Sequence, residues 1–155
     1  MERQYVNWGS SGGGNHFVEF GEIALQENNV LNLPEGNYLA LLSHSGSRGL
    51  GAAIAKHYSL LAREVCRLPR EAQHFAWLDL NTEAGQEYWM SMNLAGDYAR
   101  ACHERIHLNL AKALGLKPLA NVNNHHNFAW REEIAPGRMA IVHRKGATPA
   151  QKGQA

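Results

Sequence analysis

The sequence predicts an α+β fold of mixed strands and helices, and three observations support this prediction. Short apolar or alternating runs, typical of strands, lie in the first and last parts of the chain, and two longer helical patterns lie between them. These elements do not follow the regular strand–helix–strand alternation of a parallel sheet. With 155 residues, of which 45% are hydrophobic and 19% charged, the chain is long enough to bury one core, so we expect a single domain over residues 1–155.

The first half of the chain is predicted to form two strands followed by a helix. Residues 16–23 alternate apolar and polar side chains, and residues 38–42 form a continuous apolar run, so both are predicted to be strands. The segment between them carries Pro34 and Gly36, which favour a turn. The second strand leads directly into a glycine-rich segment, after which a helix is predicted over about residues 50–66.

The second half is predicted to begin with one long helix and to continue with two further strands. Thr82 opens the helical pattern, which runs to about Leu114 and is closed by Gly115. Residues 121–130 and 139–143 are the predicted strands. The residues expected near one face of the long helix are Leu94, Tyr98, Ala101, Leu108 and Ala111.

Composition and charge exclude several classes of protein. A net charge of +1 provides no broad basic surface, so any site for a polyanion has to be local. No apolar run reaches the roughly 18 residues of a membrane helix, and the first residues lack the apolar core of a signal peptide, so we expect a cytoplasmic protein. Cys66 and Cys102 are not spaced as metal ligands and are expected to be free thiols. The nine histidines are the unusual feature, because imidazole is the commonest metal ligand.

A His-Glu-x-x-His pattern at His103, Glu104 and His107 is the first candidate site. On a helix this spacing places two imidazoles one turn apart beside a carboxylate, which is the signature of zinc peptidases. Catalytic zinc requires a third protein ligand. Leu110 stands where the metzincin pattern continues with glycine, and Glu132 or Glu133, which could be nominated as the third ligand, lies in a turn-like segment. The preferred interpretation is a solvated helix face, and a zinc peptidase is the alternative.

Two glycine-rich segments have a more specific composition. In Gly12–Phe17, three glycines let the backbone approach a ligand closely, and Asn15 and His16 then enter the first predicted strand. In His44–Gly51, exposed amides and a helix N-terminus can hold a phosphate, with Arg48 as a bidentate clamp. The glycine spacing fits neither a P-loop nor a dinucleotide-binding fingerprint.

Two further polar segments follow the long helix. Residues 121–129 place two adjacent histidines among several asparagines, a density that costs free energy in a core and favours a binding site. Residues 142–148 contain the adjacent cations Arg144 and Lys145 before a glycine. A phosphate contact and a solvated basic turn are both compatible with this second segment.

Together these segments, GGGNHF, HSGSRGLG, NHHNFA and VHRKGAT, resemble the RtcB family of RNA ligases in order and spacing over about Gly12 to Ala150. The resemblance implies an RtcB-like ligase core that joins RNA 3′-phosphate or 2′,3′-cyclic phosphate ends to 5′-hydroxyl ends. It also implies manganese(II) and GTP as cofactors, RNA as partner, and a covalent guanylated histidine as intermediate. The implied processes are tRNA splicing and RNA repair.

The resemblance also implies roles for individual residues. His16 is the implied ligand of one manganese ion, and His44 and His126 are the implied ligands of the other; imidazole suits manganese or zinc. Arg48 and Lys145 are the implied contacts of RNA or nucleotide phosphates. The implied guanylate-binding residues are Asn15, His16, Phe17, Val18, Glu19, His126 and Asn127.

The sequence departs from the family pattern on both sides of these motifs. Family members carry an aspartate and a cysteine ligand before the GNHF motif and the guanylated histidine after the VHRKGAT motif, and none of the three is found among these 155 residues. We therefore expect a partial ligase domain, an internal segment with no catalytic nucleophile, which is inactive unless the missing segments act in trans. The alternatives are a non-catalytic module that binds metal or nucleotide and, with less support, the zinc peptidase.

Overall fold

The computed structural model describes residues 8–148, and its mixture of helices and strands confirms the α+β prediction. In this part of the chain the elements are β1 (Phe17–Leu25), β2 (Gly36–His44), α1 (Leu50–Val65), a 3-10 helix (Arg70–Phe75), α2 (Glu83–Ala113), β3 (Asn127–Ala135) and β4 (Arg138–Lys145). β1 pairs with β2, and β3 pairs with β4, in two separate two-stranded sheets. Among the described helices, none combines the length and the apolar character needed to cross a membrane.

The described residues divide into two compact units. Unit 1 consists of residues 8–17 and 43–109, and unit 2 consists of residues 18–42 and 110–148. Unit 1 therefore contains both glycine-rich segments, α1 and most of α2, whereas unit 2 contains β3, β4 and most of β1 and β2. The single domain expected from the sequence stays a prediction.

α1 begins where the second glycine-rich segment ends, as the sequence predicts. Gly49 adopts a left-handed φ of 91°, a conformation that glycine tolerates without a Cβ penalty. Ser47 Oγ accepts a hydrogen bond of 2.8 Å from the Gly51 amide. This hydroxyl therefore satisfies one of the amides that a helix N-terminus leaves without an intrahelical partner.

α2 begins at Glu83, directly after the threonine predicted to open it. Thr82 Oγ1 accepts a hydrogen bond of 3.2 Å from the Gly85 amide, which is the usual contact of an N-cap residue. After the helix, Gly115 adopts a φ of 66°, which a residue with a Cβ rarely does. The cap and the glycine explain why both ends of this helix are evident in the sequence.

α1 and α2 run in opposite directions within unit 1. Near the start of α1, a Cβ built on Gly51 would lie 4.0 Å from the Cβ of Ala95 in the middle of α2. Further along α1, the ring centroid of Tyr58 lies 5.2 Å from that of Tyr88, and its hydroxyl lies 3.5 Å from Ser91 Oγ. The small residues Gly51 and Ala95 let the two helices approach closely at this end.

The buried residues of α2 differ from most of those expected near one face of this helix, although Ala111 of that set is buried, at 8% exposed. The buried side chains of α2 within unit 1 are Ala95, Ala99, Cys102 and Ile106. They recur at intervals of three or four residues, which is the helical period. Leu94 and Leu108, by contrast, are 64% and 60% exposed. The helix therefore packs through small side chains, and Cys102 is completely inaccessible.

β3 and β4 form an antiparallel hairpin in unit 2. Their pairing begins with Asn127 opposite Lys145, and Gly137 in the turn between the strands adopts a φ of 72°. β3 begins later than the predicted start at residue 121, so residues 121–126 precede the sheet as a loop. The His126 side chain therefore lies immediately before the hairpin.

Candidate functional site

The two glycine-rich segments of unit 1 bring two predicted metal ligands together. His16 lies directly before β1 and His44 is the last residue of β2, and their ring centroids are 5.7 Å apart. Phe17 stacks on His44, with centroids 5.6 Å apart and an interplanar angle of 17°. This stacking fixes the plane of the His44 ring, and both imidazoles are half-buried.

Arg48 reaches from the second glycine-rich segment back to the first. Its Nη1 donates hydrogen bonds to the Ser11 carbonyl oxygen, at 3.2 Å, and to His16 Nδ1, at 3.3 Å. The guanidinium lies directly on Gly12, where a Cβ would be 1.7 Å from Nη1. The φ of Gly12, 87°, also favours glycine. Glycine at this position is therefore what allows Arg48 to reach His16.

The conformation of Arg48 is costly, which indicates that its surroundings hold it in place. Its φ of 53° lies in the left-handed region that residues with a Cβ rarely adopt, at a cost of about 1–3 kcal/mol. Its Nε is buried without a hydrogen-bond partner, which adds a desolvation penalty. Hydrogen bonds from this guanidinium to an anionic ligand would offset the cost of the backbone conformation and of the unpaired Nε.

α2 lies close to the second glycine-rich segment and to the residues before the first one, through side chains spaced along one side. The Arg105 guanidinium lies 5.8 Å from the Trp8 ring centroid, in a cation–π contact before the first segment. Burial raises the pKa of the Tyr98 hydroxyl, as do its charge and hydrogen-bond interactions with Cys102, whereas the charge of Arg48 opposes this rise. Tyr98 therefore lies near Arg48 of the second segment, and it is neutral at physiological pH.

In unit 2, the hairpin brings together the two polar segments that the sequence predicts as sites. Asn127 and Lys145 are paired residues of β3 and β4. The Gly146 amide donates a hydrogen bond of 2.8 Å to Asn127 Oδ1, and the Ala147 amide donates one of 2.9 Å to the His126 carbonyl oxygen. These bonds fix the two motifs side by side, while the side chains of Asn127 and Lys145 are exposed.

The two adjacent cations of β4 have different surroundings. Arg144 forms a bidentate ion pair with Glu132, with Nη2 2.7 Å from Oε2, and its guanidinium lies 5.1 Å from the Trp130 ring centroid. The hydrogen bond from Arg144 lowers the pKa of the Glu132 carboxyl, and the same bond raises the pKa of Arg144. The charge of Arg144 is thus neutralised within the hairpin. Lys145 is exposed, so it is the cation of this pair that can meet a phosphate.

Comparison with known proteins identifies the family. A family model described as tRNA-splicing ligase RtcB matches residues 1–155. The chain belongs to the RtcB family. It is 32% identical to the tRNA-splicing ligase RtcB of Methanocaldococcus jannaschii, and the match covers 96% of this chain and 17% of that protein.

Two further relatives in the RtcB family give the same result. Identity is 29% to the RNA-splicing ligase RtcB homolog 1 of Entamoeba dispar, over 96% of this chain and 31% of that protein. It is 27% to the RNA-splicing ligase RtcB of Escherichia coli, over 97% of this chain and 37% of that protein. The resemblance seen in the sequence is thereby confirmed, and the chain spans 17–37% of the length of these three relatives.

Imidazole nitrogens, such as those of His16 and His44 in this RtcB-family chain, are suitable donors for manganese. At His16, however, the hydrogen bond from Arg48 affects which nitrogen is available. Arginine can only donate, so His16 Nδ1 accepts its hydrogen bond, and a neutral His16 ring then carries its proton on Nε2. A metal at His16 therefore requires Arg48 to release Nδ1. Nδ1 can then bind the metal itself, or it can take the ring proton and leave Nε2 to the metal. Within either unit, the described residues contain no group of three or more His, Cys, Asp or Glu side chains able to hold a metal. Among the described residues of unit 1, the two predicted ligands His16 and His44 are therefore not part of such a group.

The predicted site residues of the RtcB motifs form two groups. Asn15 and Glu19 are exposed on either side of the start of β1, and Val18 between them is half-buried. His126 is half-buried at the start of the hairpin. The two groups are His16, His44 and Arg48 in unit 1, and His126, Asn127 and Lys145 in unit 2.

The His-Glu-x-x-His pattern of α2 is only partly the solvated face expected from the sequence. Glu104 is exposed, but His103 and His107 are half-buried. His107 Nε2 shares a hydrogen bond of 2.8 Å with Oγ of Ser43, the residue before His44. Burial lowers the pKa of the His107 imidazole, and the charge of His103 lowers it further, so this ring is neutral at physiological pH.

Sequence reasoning missed this contact because its two residues are 64 positions apart. A partial signal was available, since His103 and His107 directly follow Cys102 and Ile106, which belong to the buried stripe of α2. Half-burial of the two histidines follows once that stripe is known. The partner of His107 does not follow from any pattern in the sequence.

Proposed function

We propose that this chain provides part of the active site of an RNA ligase that joins RNA 3′-phosphate or 2′,3′-cyclic phosphate ends to 5′-hydroxyl ends, with GTP and manganese(II). The observation that carries the proposal is the clustering of His16, His44 and Arg48 in a chain that matches the RtcB family over residues 1–155. The proposed processes are tRNA splicing and RNA repair. The names of several relatives include tRNA splicing. A cytoplasmic location is part of the same proposal.

Arg48 is the proposed clamp for a terminal phosphate. A guanidinium donates two parallel hydrogen bonds to a phosphate. Nε of Arg48 has no acceptor while Nη1 is bonded to Ser11 and His16. If the Arg48 side chain moves from His16 to a phosphate, its Nε can donate a hydrogen bond to a phosphate oxygen. This movement also frees the Nδ1 lone pair of His16, so phosphate binding and metal binding favour each other at this site.

The remaining residues have proposed roles in holding metal and nucleotide. His16 is the proposed ligand of one manganese(II) ion and His44 of a second, and His126 is a further proposed ligand. Such ions would supply positive charge that stabilises the charge developing on a transferring phosphate. Phe17 keeps the His44 ring in one plane. Asn15, Asn127 and the residues from His16 to Glu19 are the proposed guanylate contacts, and exposed Lys145 is a second phosphate contact.

Catalysis is proposed to need further polypeptide, in the same chain or in trans. The aspartate, cysteine and guanylated histidine implied by the family resemblance are not among these 155 residues. Incubation of the purified chain with GTP and manganese(II) is therefore expected to leave its intact mass unchanged. A stable guanylate adduct on this chain alone would contradict the assignment of the nucleophile to another segment.

The proposal is tested by measuring which RNA end the chain prefers. Fluorescence anisotropy with manganese(II) compares a short RNA ending in a 3′-phosphate with the same RNA ending in a 3′-hydroxyl. Arg48→Ala is expected to weaken binding of the 3′-phosphate RNA by about 10- to 100-fold, the range of a charged hydrogen bond. Arg63→Ala, an exposed arginine of α1, is the control and is expected to bind like wild type. Equal affinity of the wild-type chain for both ends would contradict the proposal.

A non-catalytic module that binds metal or nucleotide is the second candidate. The incomplete ligand set within each described unit favours it. Such a module binds manganese(II) and GTP without a preference between the two RNA ends, so the same titrations distinguish it from a ligase segment.

The zinc peptidase has no support from the contacts of its two histidines. His107 Nε2 is already hydrogen-bonded to Ser43. A zinc ion at His107 Nε2 would have to displace that hydroxyl, and no third ligand accompanies the pair among the described residues of either unit.

A further inference from the structure

His107 lies outside the residues with assigned roles, yet it is connected to the end of the strand that carries His44. We propose that His107 is a positioning residue of the candidate site: its hydrogen bond with Ser43 fixes the end of β2 against α2 and thereby sets the direction of the His44 imidazole. The importance of this for metal binding rests on the proposed function, whereas the effect on His44 itself does not.

The hydrogen bond joins two elements that are distant in the sequence. His107 Nε2 and Ser43 Oγ are 2.8 Å apart, within the optimal range for a hydrogen bond. Successive side chains of a strand point to opposite faces. Because the Ser43 side chain points towards α2, the His44 side chain points to the opposite face, where it meets His16 and Phe17. Because the peptide unit between Ser43 and His44 is planar and stiff, displacement of the first residue moves the second.

The electrostatic state of His107 suits a hydrogen bond of this kind. Burial, and secondarily the charge of His103, lower the pKa of the His107 imidazole, so the ring is neutral when it meets the hydroxyl. A neutral pair avoids the large cost of holding a charge away from water. Ser43 and His107 are both half-buried, so water competes less for either group than it does at an exposed site.

α2 is firmly packed at the turn from which His107 projects. Ile106 is only 4% exposed, and Cys102, one turn earlier, is completely buried. Arg105 in the same turn contacts Trp8, which precedes the first glycine-rich segment. One turn of the helix thus contacts Trp8 and Ser43, which precede the two segments that carry the histidines of unit 1.

A positioning role and a space-filling role predict different tolerances at residue 107. A side chain that only fills space can be replaced by leucine, which has a similar volume. A side chain that positions Ser43 can be replaced only by one with a polar group in reach, such as glutamine. Leucine and glutamine variants therefore separate the two roles.

The deciding measurement is the NMR spectrum of the His44 ring nitrogens in the ¹⁵N-labelled full chain without added metal. Ser43→Ala and His107→Leu are each expected to shift these resonances, and the double variant is expected to shift them no further than one single variant. His107→Gln is expected to restore them towards their wild-type positions. Glu104→Gln, on the exposed side of the same helix, is the control and is expected to leave them unchanged.

Unchanged His44 resonances in Ser43→Ala would overturn the proposal. This variant removes only one oxygen atom, so it provides the answer even where His107→Leu fails to fold. The proposal would also be overturned if His107→Leu gave the wild-type His44 resonances and His107→Gln did not. In that case, filling space would account for the role of His107.

A calorimetric titration with manganese(II) separates this inference from the proposed function. Because His107→Leu loses one hydrogen bond of ordinary strength, it is expected to bind manganese about five- to tenfold more weakly than wild type. Adding Ser43→Ala to this variant is expected to weaken binding no further, because both substitutions remove the same bond. If the wild-type chain binds no manganese, the proposed function fails, and the His44 resonances alone decide the positioning role. If His44→Ala loses manganese while His107→Leu retains wild-type affinity, the positioning role is overturned.

Discussion

The two units hold their candidate residues in different ways. In unit 1, His44 and Arg48 lie at a strand end and in a loop, and α2 supports them through side chains that include His107. In unit 2, Asn127 and Lys145 lie opposite each other in a hairpin, and backbone pairing with local turn hydrogen bonds supports them. The first arrangement depends on contacts between distant parts of the chain, and the second depends on neighbours in one hairpin.

This difference determines where each group of residues is vulnerable. A change in the buried stripe of α2 is expected to disturb the site of unit 1 without touching any of its ligands. A comparable change in the hairpin is expected to act locally, because each residue there is held by its paired neighbour. Matched substitutions in the two units test this difference.

Matched isoleucine truncations are expected to give the largest contrast. Ile106 of α2 is 4% exposed, whereas Ile134 of β3 is 51% exposed. Ile106→Ala is expected to lower the free energy of unfolding by about 2–5 kcal/mol, because it leaves a cavity. Ile134→Ala is expected to cost less than about 1 kcal/mol. Urea unfolding followed by circular dichroism measures both, and equal losses would contradict the difference between the units.

Matched glycine substitutions test the contact between Arg48 and the first glycine-rich segment. Gly12→Ala places a Cβ on the Arg48 guanidinium and forces alanine to a φ of 87°, whereas a Cβ on Gly13 has no atom within 4 Å. The left-handed conformation alone is expected to destabilise Gly12→Ala by about 1–2 kcal/mol. Gly13→Ala is the control and should unfold at nearly the wild-type urea concentration. Similar midpoints for both variants would show that Arg48 does not lie on Gly12.

The side-chain hydrogen bond of Asn127 offers the corresponding test in unit 2. Asn127→Ala removes the acceptor of the Gly146 amide and is expected to cost about 0.5–1.5 kcal/mol. Hydrogen exchange of the Gly146 amide should become faster, while exchange within α2 stays unchanged. Asn121→Ala, at an exposed position before the hairpin, is the control. Faster exchange throughout α2 would contradict local support of this group.

Acid is expected to weaken unit 1 first, through His107. The pKa of this imidazole is lowered in the folded chain from its ordinary value of 6.5. Between the lowered pKa and 6.5, the unfolded chain binds more protons than the folded chain, so the free energy of unfolding decreases as the pH falls through this window. Urea unfolding as a function of pH measures the decrease, and His107→Gln is expected to reduce it. An unchanged decrease in that variant would assign it to other groups.

The hairpin of unit 2 is expected to respond to acid only at lower pH. The hydrogen bond from Arg144 lowers the pKa of the Glu132 carboxyl below its ordinary value of 4.5. The stability that this ion pair contributes is present above pH 4.5 and is lost as the pH falls through the lowered pKa. Glu132→Gln should remove this dependence, which is the smallest expected effect because the pair is partly exposed. A loss of hairpin amide protection already near pH 6 would contradict this order.

The fold class and most element boundaries are predictable because their signals are local. Gly49, Thr82 and Gly115 mark helix ends by their backbone conformations or capping bonds, and α1 and α2 lie close to their predicted ranges. The motifs also indicate which residues belong to the candidate site, since each motif is a short continuous stretch. These predictions needed no knowledge of contacts between distant segments.

The buried face of α2 and the contacts of the site were not predictable in the same way. Leu94 and Leu108 dominate the helical pattern, yet α2 packs through small residues such as Ala95 and Ala99, whose burial depends on the close approach of other segments. The contact between His107 and Ser43 likewise depends on how the chain folds back on itself. Hydrophobic periodicity identifies an amphipathic helix, but it does not choose between a leucine face and a face of small residues.

We propose that His16 and His44 contribute manganese(II) ligands in unit 1, and a manganese(II) titration of the full chain tests this proposal. Isothermal calorimetry is expected to show a site in the wild-type chain whose affinity falls at least about tenfold, or 1.4 kcal/mol, in His44→Ala. His74→Ala, at an exposed position of the 3-10 helix, should bind manganese like wild type. Wild-type affinity in His44→Ala would contradict the claim.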